Sequence, residues 1–189
     1  FLDSAGHEII GDTMGSDIMG CVWEFYPTNT MQPGDLYWYN DPYLSKGSIT
    51  HTPDMVFIAP VFHDNEIVGY CHSFAHFWDL GGSRPGSIGP SNTEIFHDGL
   101  LFPRIKFKLL DGKLDPIIEQ ILKSNVRVPR ETYGDLQAQI VANRTAESRL
   151  LAIMKKFGSL DVFDVMKGLQ DYSEKLTRKE IDSFPNGEW

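Results

Sequence analysis

The spacing of hydrophobic residues changes along this chain. Residues 54–62 and 66–77 are short apolar runs, rich in Val, Ile and aromatic residues, with a polar turn between them. This pattern predicts a β-hairpin. From Leu114 onward, apolar residues recur at helical intervals. The sequence therefore predicts an α+β fold, in which residues 1–113 are β-rich with antiparallel hairpins and residues 114–189 form a helical region of the same domain.

Turn residues predict the other elements of the β-rich part. Residues 1–10 are expected to form two short strands around a tight turn. The aromatic stretch DLYWY is expected to form a strand that stops at Asn40, because Asp and Pro follow it. Residues 79–99 are rich in Gly, Ser and Pro, which predicts a long ordered loop. Such loops commonly carry functional residues.

Boundary residues define the predicted helices. Asp115 and Pro116 are typical of a helix start, and Gly158 is typical of a helix end. A third helix is expected to follow Gly158. The second helix also carries a stripe of polar residues at helical spacing, which consists of Asp135, Gln139 and Asn143. This stripe faces either solvent or a cleft.

Composition narrows the classes of function. The chain has 189 residues and a formal net charge of −9, which argues against a nucleic-acid partner, since such proteins usually present a basic face. No apolar run is long enough for a membrane span. Cys21 and Cys71 form no disulfide framework, so a cytoplasmic location is expected. Because the chain opens on Phe1 within an apparent hairpin, we expect it to be a fragment of a longer polypeptide.

Four polar residues are predicted to gather at one end of the hairpin. If the turn lies between the two apolar runs, the register places His76 opposite Pro53, and facing side chains then lie about 5 Å apart. His51, Asp54 and Asp79 belong to the same end. A bend at Pro53 is required, since three extended residues span roughly 10 Å.

This cluster has two interpretations from the residues alone. Imidazoles with a carboxylate suit Zn²⁺ or Mn²⁺, but a His–Asp pair also forms hydrogen bonds without a metal. His72 shares the strand face of His76 and is the rival ligand. The other histidines lie in turn-like contexts and are expected to be solvated: His7, His63 and His97.

Several motifs together resemble one known family. The stretches GDLYWYNDPYLSKGSITHTPDMVFIAPVF, AHFWDLGGSRPGSIGPSNTEIFHDGL and GDLQAQIVANR are similar to the hydantoinase B/oxoprolinase family. That family includes acetone carboxylase and acetophenone carboxylase subunits, N-methylhydantoinase B and caprolactamase. The resemblance covers essentially the whole chain and corresponds to an N-terminal fragment of such a subunit.

The resemblance implies a metal-binding catalytic subunit of an ATP-dependent hetero-oligomer. A hydantoinase A-like partner would bind ATP and Mg²⁺ and phosphorylate a carbonyl oxygen of a small-molecule substrate, and this chain carries no Walker-type phosphate loop of its own. By motif, His51, Asp54 and His76 correspond to the metal ligands. A further acidic ligand of the family would precede Phe1.

Two further residues are candidates for catalytic roles. Asp79 is expected to orient a ligand imidazole. Glu94 is a candidate acid/base, although an exposed loop glutamate without a catalytic role is the alternative.

One departure from the family pattern bears on the reaction. Hydrolytic members have His-His-Ala-Asp-Val-Gly-Gly at the second site, whereas this chain has His76-Phe77-Trp78-Asp79-Leu80-Gly81-Gly82. The aromatic pair is closer to the ketone-carboxylase pattern and favours an ATP-dependent carboxylase acting on a ketone. The alternatives are an ATP-dependent cyclic amide hydrolase of the hydantoinase, 5-oxoprolinase or lactamase type, and a non-catalytic interaction subunit.

Overall fold

The computed structural model describes residues 1–11 and 17–187. It confirms the α+β class, with a sheet in the first half and helices in the second. The strands are β1 (Leu36–Tyr39), β2 (Asp54–His63), β3 (Glu66–His76) and β4 (Ile105–Phe107). The helices are α1 (Gly20–Phe25), α2 (Pro116–Asn125), α3 (Pro129–Phe157) and α4 (Ser159–Ile181), and there are 3-10 turns at Thr28–Thr30 and Ile95–Asp98. In this described part of the chain, no helix is both long and apolar enough to cross a membrane.

The sheet is antiparallel, in the order β3-β2-β1-β4. Strand β2 lies inside it and is buried on both faces, which explains its nearly continuous apolar sequence. Since side chains alternate between the faces of a strand, Met55 and Phe57 pack toward the helices. Val56 and Ile58 pack toward α1 and the N-terminal segment. Two hydrophobic clusters thus hold the hairpin rigidly from both sides.

Helix α3 fastens the hairpin with polar as well as apolar contacts. Gln139 Nε2 donates to Met55 O at 3.0 Å, and Asn143 Nδ2 donates to Phe57 O at 3.2 Å. Both side chains are buried, whereas Asp135 is exposed. The predicted polar stripe therefore faces the sheet at two of its three positions, and these amides tie α3 to β2.

The helix boundaries follow the sequence signals. The side chain of Asp115 accepts a hydrogen bond from Ile117 N at 2.7 Å, and Pro116 is the first residue of α2. Gly158 ends α3 with a positive φ of 89°. Asp115 thus accepts a hydrogen bond from a backbone N–H that has no partner within the helix, and Gly158 adopts the positive φ that often occurs at a helix end.

The register of the hairpin differs from the predicted one. His63 pairs with Glu66 as predicted, but a bulge between Val61 and Phe62 shifts the pairing by one residue. His76 therefore lies opposite Asp54, and the prediction that it faces Pro53 is wrong. The bulge inserts one unpaired residue into β3, which the local sequence pattern does not reveal.

The N-terminal residues form less regular structure than predicted. Leu2 makes isolated bridges with Glu8 and with Tyr70 of β3, rather than belonging to a two-stranded hairpin. Leu2 N donates to Tyr70 O at 2.8 Å, and Tyr70 N donates to Leu2 O at 2.9 Å. This segment therefore attaches to the outer edge of β3.

Candidate metal site and adjoining cleft

Three predicted ligands meet where β2 begins and β3 ends. His51 Nε2 lies 3.0 Å from His76 Nδ1 and 3.1 Å from Asp54 Oδ1, while His76 Nδ1 lies 2.9 Å from the same carboxylate oxygen. The corrected register accounts for this contact, since Asp54 and His76 are cross-strand partners. Within the described ranges, these residues form the group of His, Cys, Asp and Glu side chains whose ligand atoms converge on one point. We call them the His51–Asp54–His76 cluster.

The loop that carries His51 is held by a buried asparagine. Asn40 Nδ2 donates to Thr52 O at 2.7 Å and to Leu100 O at 2.9 Å, and its Oδ1 accepts from Phe102 N at 2.6 Å. The chain turns at Pro53, where Asp54 N donates to His51 O at 3.3 Å. This turn provides the bend that brings His51 back to Asp54.

A neighbouring hydroxyl orients the ring of His51. Thr50 Oγ1 lies 2.9 Å from His51 Nδ1. If Nδ1 carries the proton and donates a hydrogen bond to Thr50 Oγ1, the lone pair of Nε2 is directed at Asp54 and His76. Histidines that bind metals are commonly fixed in this way by a hydrogen bond at the second nitrogen.

The donor set of the cluster fits a divalent cation. Zn²⁺ bonds of about 2.0–2.1 Å in a tetrahedral arrangement put neighbouring ligand atoms about 3.3 Å apart, close to the observed 2.9–3.1 Å. Two imidazole nitrogens that face one another and one carboxylate oxygen need a proton or a cation between them. The carboxylate of Asp54 is almost fully buried, whereas both imidazoles reach solvent.

A cleft of about 690 Å³ opens beside His51. It is lined by one segment that includes Tyr43, Lys46 and Ile49 and by a second segment that includes Asn92 and Glu94. Glu94 is exposed and its Oε1 lies 3.1 Å from His97 Nε2. The predicted acid/base therefore lies in the same cleft as a predicted metal ligand.

Asp79 has different partners from those expected. Its carboxylate is nearly buried and accepts hydrogen bonds from Gly81 N, Gly86 N and Arg127 N at 2.8, 2.9 and 3.1 Å. Arg127 Nη1 adds a contact of 2.9 Å. Burial alone would raise the pKa of Asp79, but these hydrogen bonds outweigh it, and the pKa is lowered. The carboxylate thus holds a loop and a guanidinium rather than an imidazole.

The rival ligand His72 lies deeper in the protein. Its side chain is buried, and neither ring nitrogen has a hydrogen-bond partner among residues 1–11 and 17–187. Burial, followed by repulsion from the nearby α-ammonium of Phe1, lowers the pKa of His72 to about 4. His72 is opposite Ile58 in the ladder and is not part of the His51–Asp54–His76 cluster.

The aromatic pair after His76 does not line the cleft. Phe77 is fully buried in the cluster beneath the helices, and Trp78 is 75% exposed. The residues that form the cleft include neither of them. These aromatic side chains therefore do not line the cleft that opens beside His51.

Two structurally important residues are not predicted by the sequence patterns. The sequence indicates Asn40 only as the end of a strand and does not single out Arg127. The signal that could have identified Asn40 is its place at the end of an aromatic strand, directly before Asp-Pro. Arg127 has no local signal, because its partner Asp79 is distant in sequence.

Comparison with known proteins decides the family. The model of the hydantoinase B/oxoprolinase family matches residues 6–189. The chain belongs to the hydantoinase B/oxoprolinase family. A putative D-/L-hydantoinase subunit from Pseudomonas sp. (strain NS671) is 36% identical over 162 residues, which is 85% of this chain and 27% of that protein. The chain thus spans about a quarter of the length of such relatives.

Solved structures show the same fold. The crystal structure of an ATP-dependent caprolactamase from Pseudomonas jessenii superposes with a TM-score of 0.78 at 28% identity, covering 90% of this chain and 28% of that one. A nucleotide-free structure of acetone carboxylase superposes with a TM-score of 0.68 at 21% identity, covering 83% of this chain and 21% of that one. The latter supports the fold alone.

Proposed function

We propose that this chain carries the metal site of an ATP-dependent, multi-subunit enzyme that hydrolyses a cyclic amide. The observation that supports it is the convergence of His51, Asp54 and His76 beside an open cleft. Two relatives support the same substrate class, because their names, hydantoinase subunit and ATP-dependent caprolactamase, denote action on cyclic amides.

The roles of the residues follow from their positions. His51, Asp54 and His76 would hold a Zn²⁺ or Mn²⁺ ion, which would supply a Lewis acid for the substrate oxygen or lower the pKa of a water molecule. Thr50 Oγ1, which lies 2.9 Å from His51 Nδ1, would hold the proton on Nδ1 and leave Nε2 free to bind the ion. Glu94 lies on the cleft wall and can accept or return a proton.

ATP would act through a separate polypeptide. We propose that a hydantoinase A-like partner binds ATP and Mg²⁺ and phosphorylates the carbonyl oxygen of the amide, which makes the carbonyl carbon easier to attack. Lys46 lines the cleft, with its Nζ 3.0 Å from Glu24 Oε2, and would have to leave this partner to contribute positive charge for an anionic intermediate. The chain alone should therefore be inactive.

A ketone carboxylase is the second candidate. It is favoured by the sequence His76-Phe77-Trp78, which lacks the second histidine of the hydrolytic pattern. Because Phe77 is buried and Trp78 lies outside the cleft, this difference has no direct contact with the proposed substrate site. The cyclic amide is therefore the preferred substrate class.

The test uses the complete protein together with its partner subunits. Cyclic amides (a hydantoin, 5-oxoproline and a lactam) and ketones with bicarbonate would be offered with ATP, and bound metal would be measured in parallel. We expect amide hydrolysis that depends on ATP and on bound Zn²⁺ or Mn²⁺. Carboxylation without hydrolysis would select the second candidate, and a metal-free complex with full turnover would refute the proposed site.

A further inference from the structure

Arg127 binds a carboxylate and several carbonyl groups of a single loop. From the connection between α2 and α3, its Nη1 donates to Asp79 Oδ2, Gly81 O and Arg84 O, each at 2.9 Å, and its Nη2 donates to Gly82 O at 2.8 Å. The planar guanidinium presents its donors in a fixed fork. The loop from Asp79 to Arg84 is therefore fastened as one unit to the helical layer.

The same loop packs directly against the wall of the cleft. Leu100 N donates to Leu80 O at 2.9 Å, and Ser83 N donates to His97 O at 2.8 Å. Gly82 has a φ of +76°, and a Cβ atom there would collide with the carbonyl oxygen of His97. The position of this loop thus sets the position of the segment behind it.

That segment faces the cleft and the metal-site loop. Glu94 and Asp98 line the cleft, and Asp98 O accepts a hydrogen bond from Thr52 Oγ1 at 3.4 Å. A continuous series of contacts therefore runs from Arg127, through the glycine-rich loop and Asp98, to the residue next to His51.

We propose that Arg127 and Asp79 are a positioning pair, the Arg127–Asp79 clamp, which fixes the cleft wall bearing Glu94 and Asp98 relative to the His51–Asp54–His76 cluster. The proposal rests on the proposed function, since it assigns the wall to the substrate. Neither residue touches the reacting atoms. The pair acts by fixing the wall against which the substrate binds at a set distance from the cluster.

The metal ligands have supports of their own. Asp54 and His76 belong to the β2–β3 ladder, and Asn40 holds the loop of His51 through its contact with Thr52 O. Loss of the clamp should therefore displace the wall and leave the ligands in place. This difference separates a positioning role from a general loss of structure.

The kinetic test compares Arg127→Ala with Arg127→Lys in the complete enzyme, with Arg130→Ala as the matched control. Arg130 is exposed in the first turn of α3, near Arg127. For Arg127→Ala we expect kcat/KM to fall on the order of 10–100-fold, mainly through KM, as for displaced positioning groups. Zn²⁺ occupancy should remain at the wild-type level. Lysine should restore part of the loss, because it keeps the charge beside Asp79 but not the fork.

Two kinetic outcomes would overturn the clamp. One is an unchanged KM in Arg127→Ala. The other is a parallel loss of bound metal, kcat and melting temperature, without a separate effect on KM and without rescue by lysine, which would indicate a purely structural role.

Amide hydrogen exchange tests the clamp without any turnover. In Arg127→Ala, exchange should accelerate at Gly81, Gly86 and residues 88–98, and should stay slow in β2 and β3. If the wild-type enzyme binds no metal and turns over no amide, the proposed function fails, yet this exchange pattern would still support the clamp. Unchanged exchange at those amides would overturn the clamp while leaving the proposed function standing.

Discussion

Two of the buried aspartates, Asp54 and Asp79, have surroundings that differ in kind. The side chains of Asp54 and Asp79 are 3% and 5% exposed. Asp54 Oδ1 faces two imidazole nitrogens that reach solvent. Asp79 instead accepts hydrogen bonds from three backbone amides and a guanidinium.

This difference separates the proposed metal site from a structural contact. Backbone amides and an arginine are permanent donors, so Asp79 has little capacity to exchange partners. Imidazoles can lose a proton and take up a metal ion instead. The partners of a buried carboxylate, rather than its burial, therefore indicate which of the two can perform chemistry.

The sharpest way to break this comparison is to remove a proposed ligand. His76→Ala should lower metal affinity by about 100-fold or more, above the roughly 10–100-fold typical of outer partners, and should abolish product formation. Equilibrium dialysis with Zn²⁺ and turnover of the complete enzyme would measure this. His63→Ala, at the end of β2 next to the hairpin turn, is the control and should retain both properties. Full metal occupancy in His76→Ala would place the site elsewhere.

Neutralising each aspartate in turn should have unequal consequences for stability. Asp79→Asn should destabilise the metal-free protein by about 2–3 kcal/mol, less than the 3–5 kcal/mol of a fully buried broken pair, because Arg127 is partly exposed. Asp54→Asn should cost less than about 1 kcal/mol without metal, since its ion-pair partners among the described residues are imidazoles rather than a permanent cation. Urea unfolding would measure both changes. Equal losses would remove the distinction between the two carboxylates.

The pH dependence of stability should come partly from His72. Its folded pKa of about 4 lies below the ordinary 6.5, so between these values the unfolded chain binds more protons. Stability is therefore fully present above about pH 6.5 and falls toward pH 4, by up to about 3 kcal/mol at about 1.4 kcal/mol per pKa unit. His72→Leu should flatten this part of the unfolding curve measured against pH. Asp79, whose pKa is lowered from 3.8, should contribute only at lower pH.

The smallest expected effect concerns the hydroxyl beside His51. Thr50→Val should weaken Zn²⁺ binding by about 10-fold, at the low end for outer partners of metal ligands, because Nδ1 of His51 loses its hydrogen bond. A competition titration with a metal indicator would measure this change. Thr50→Ser should bind as the wild type does. If valine and serine behave alike, the hydroxyl does not orient the ring.

The sequence alone determined the features that depend on neighbouring residues. Period-two and helical spacing predicted the α+β class, the β2–β3 hairpin and the helix ends at Asp115 and Gly158. A hairpin brings its two ends together in any register, so the approach of His51, Asp54 and His76 could be predicted before the ladder was known.

Only the tertiary structure decided which partners the buried polar groups received. The bulge near Val61 moved His76 opposite Asp54, and packing against the sheet buried Gln139. Asp79 pairs with Arg127, which belongs to the connection between α2 and α3. Such contacts join residues far apart in the chain, and the surrounding packing selects them. Their local sequences therefore contain no signal of the pairing.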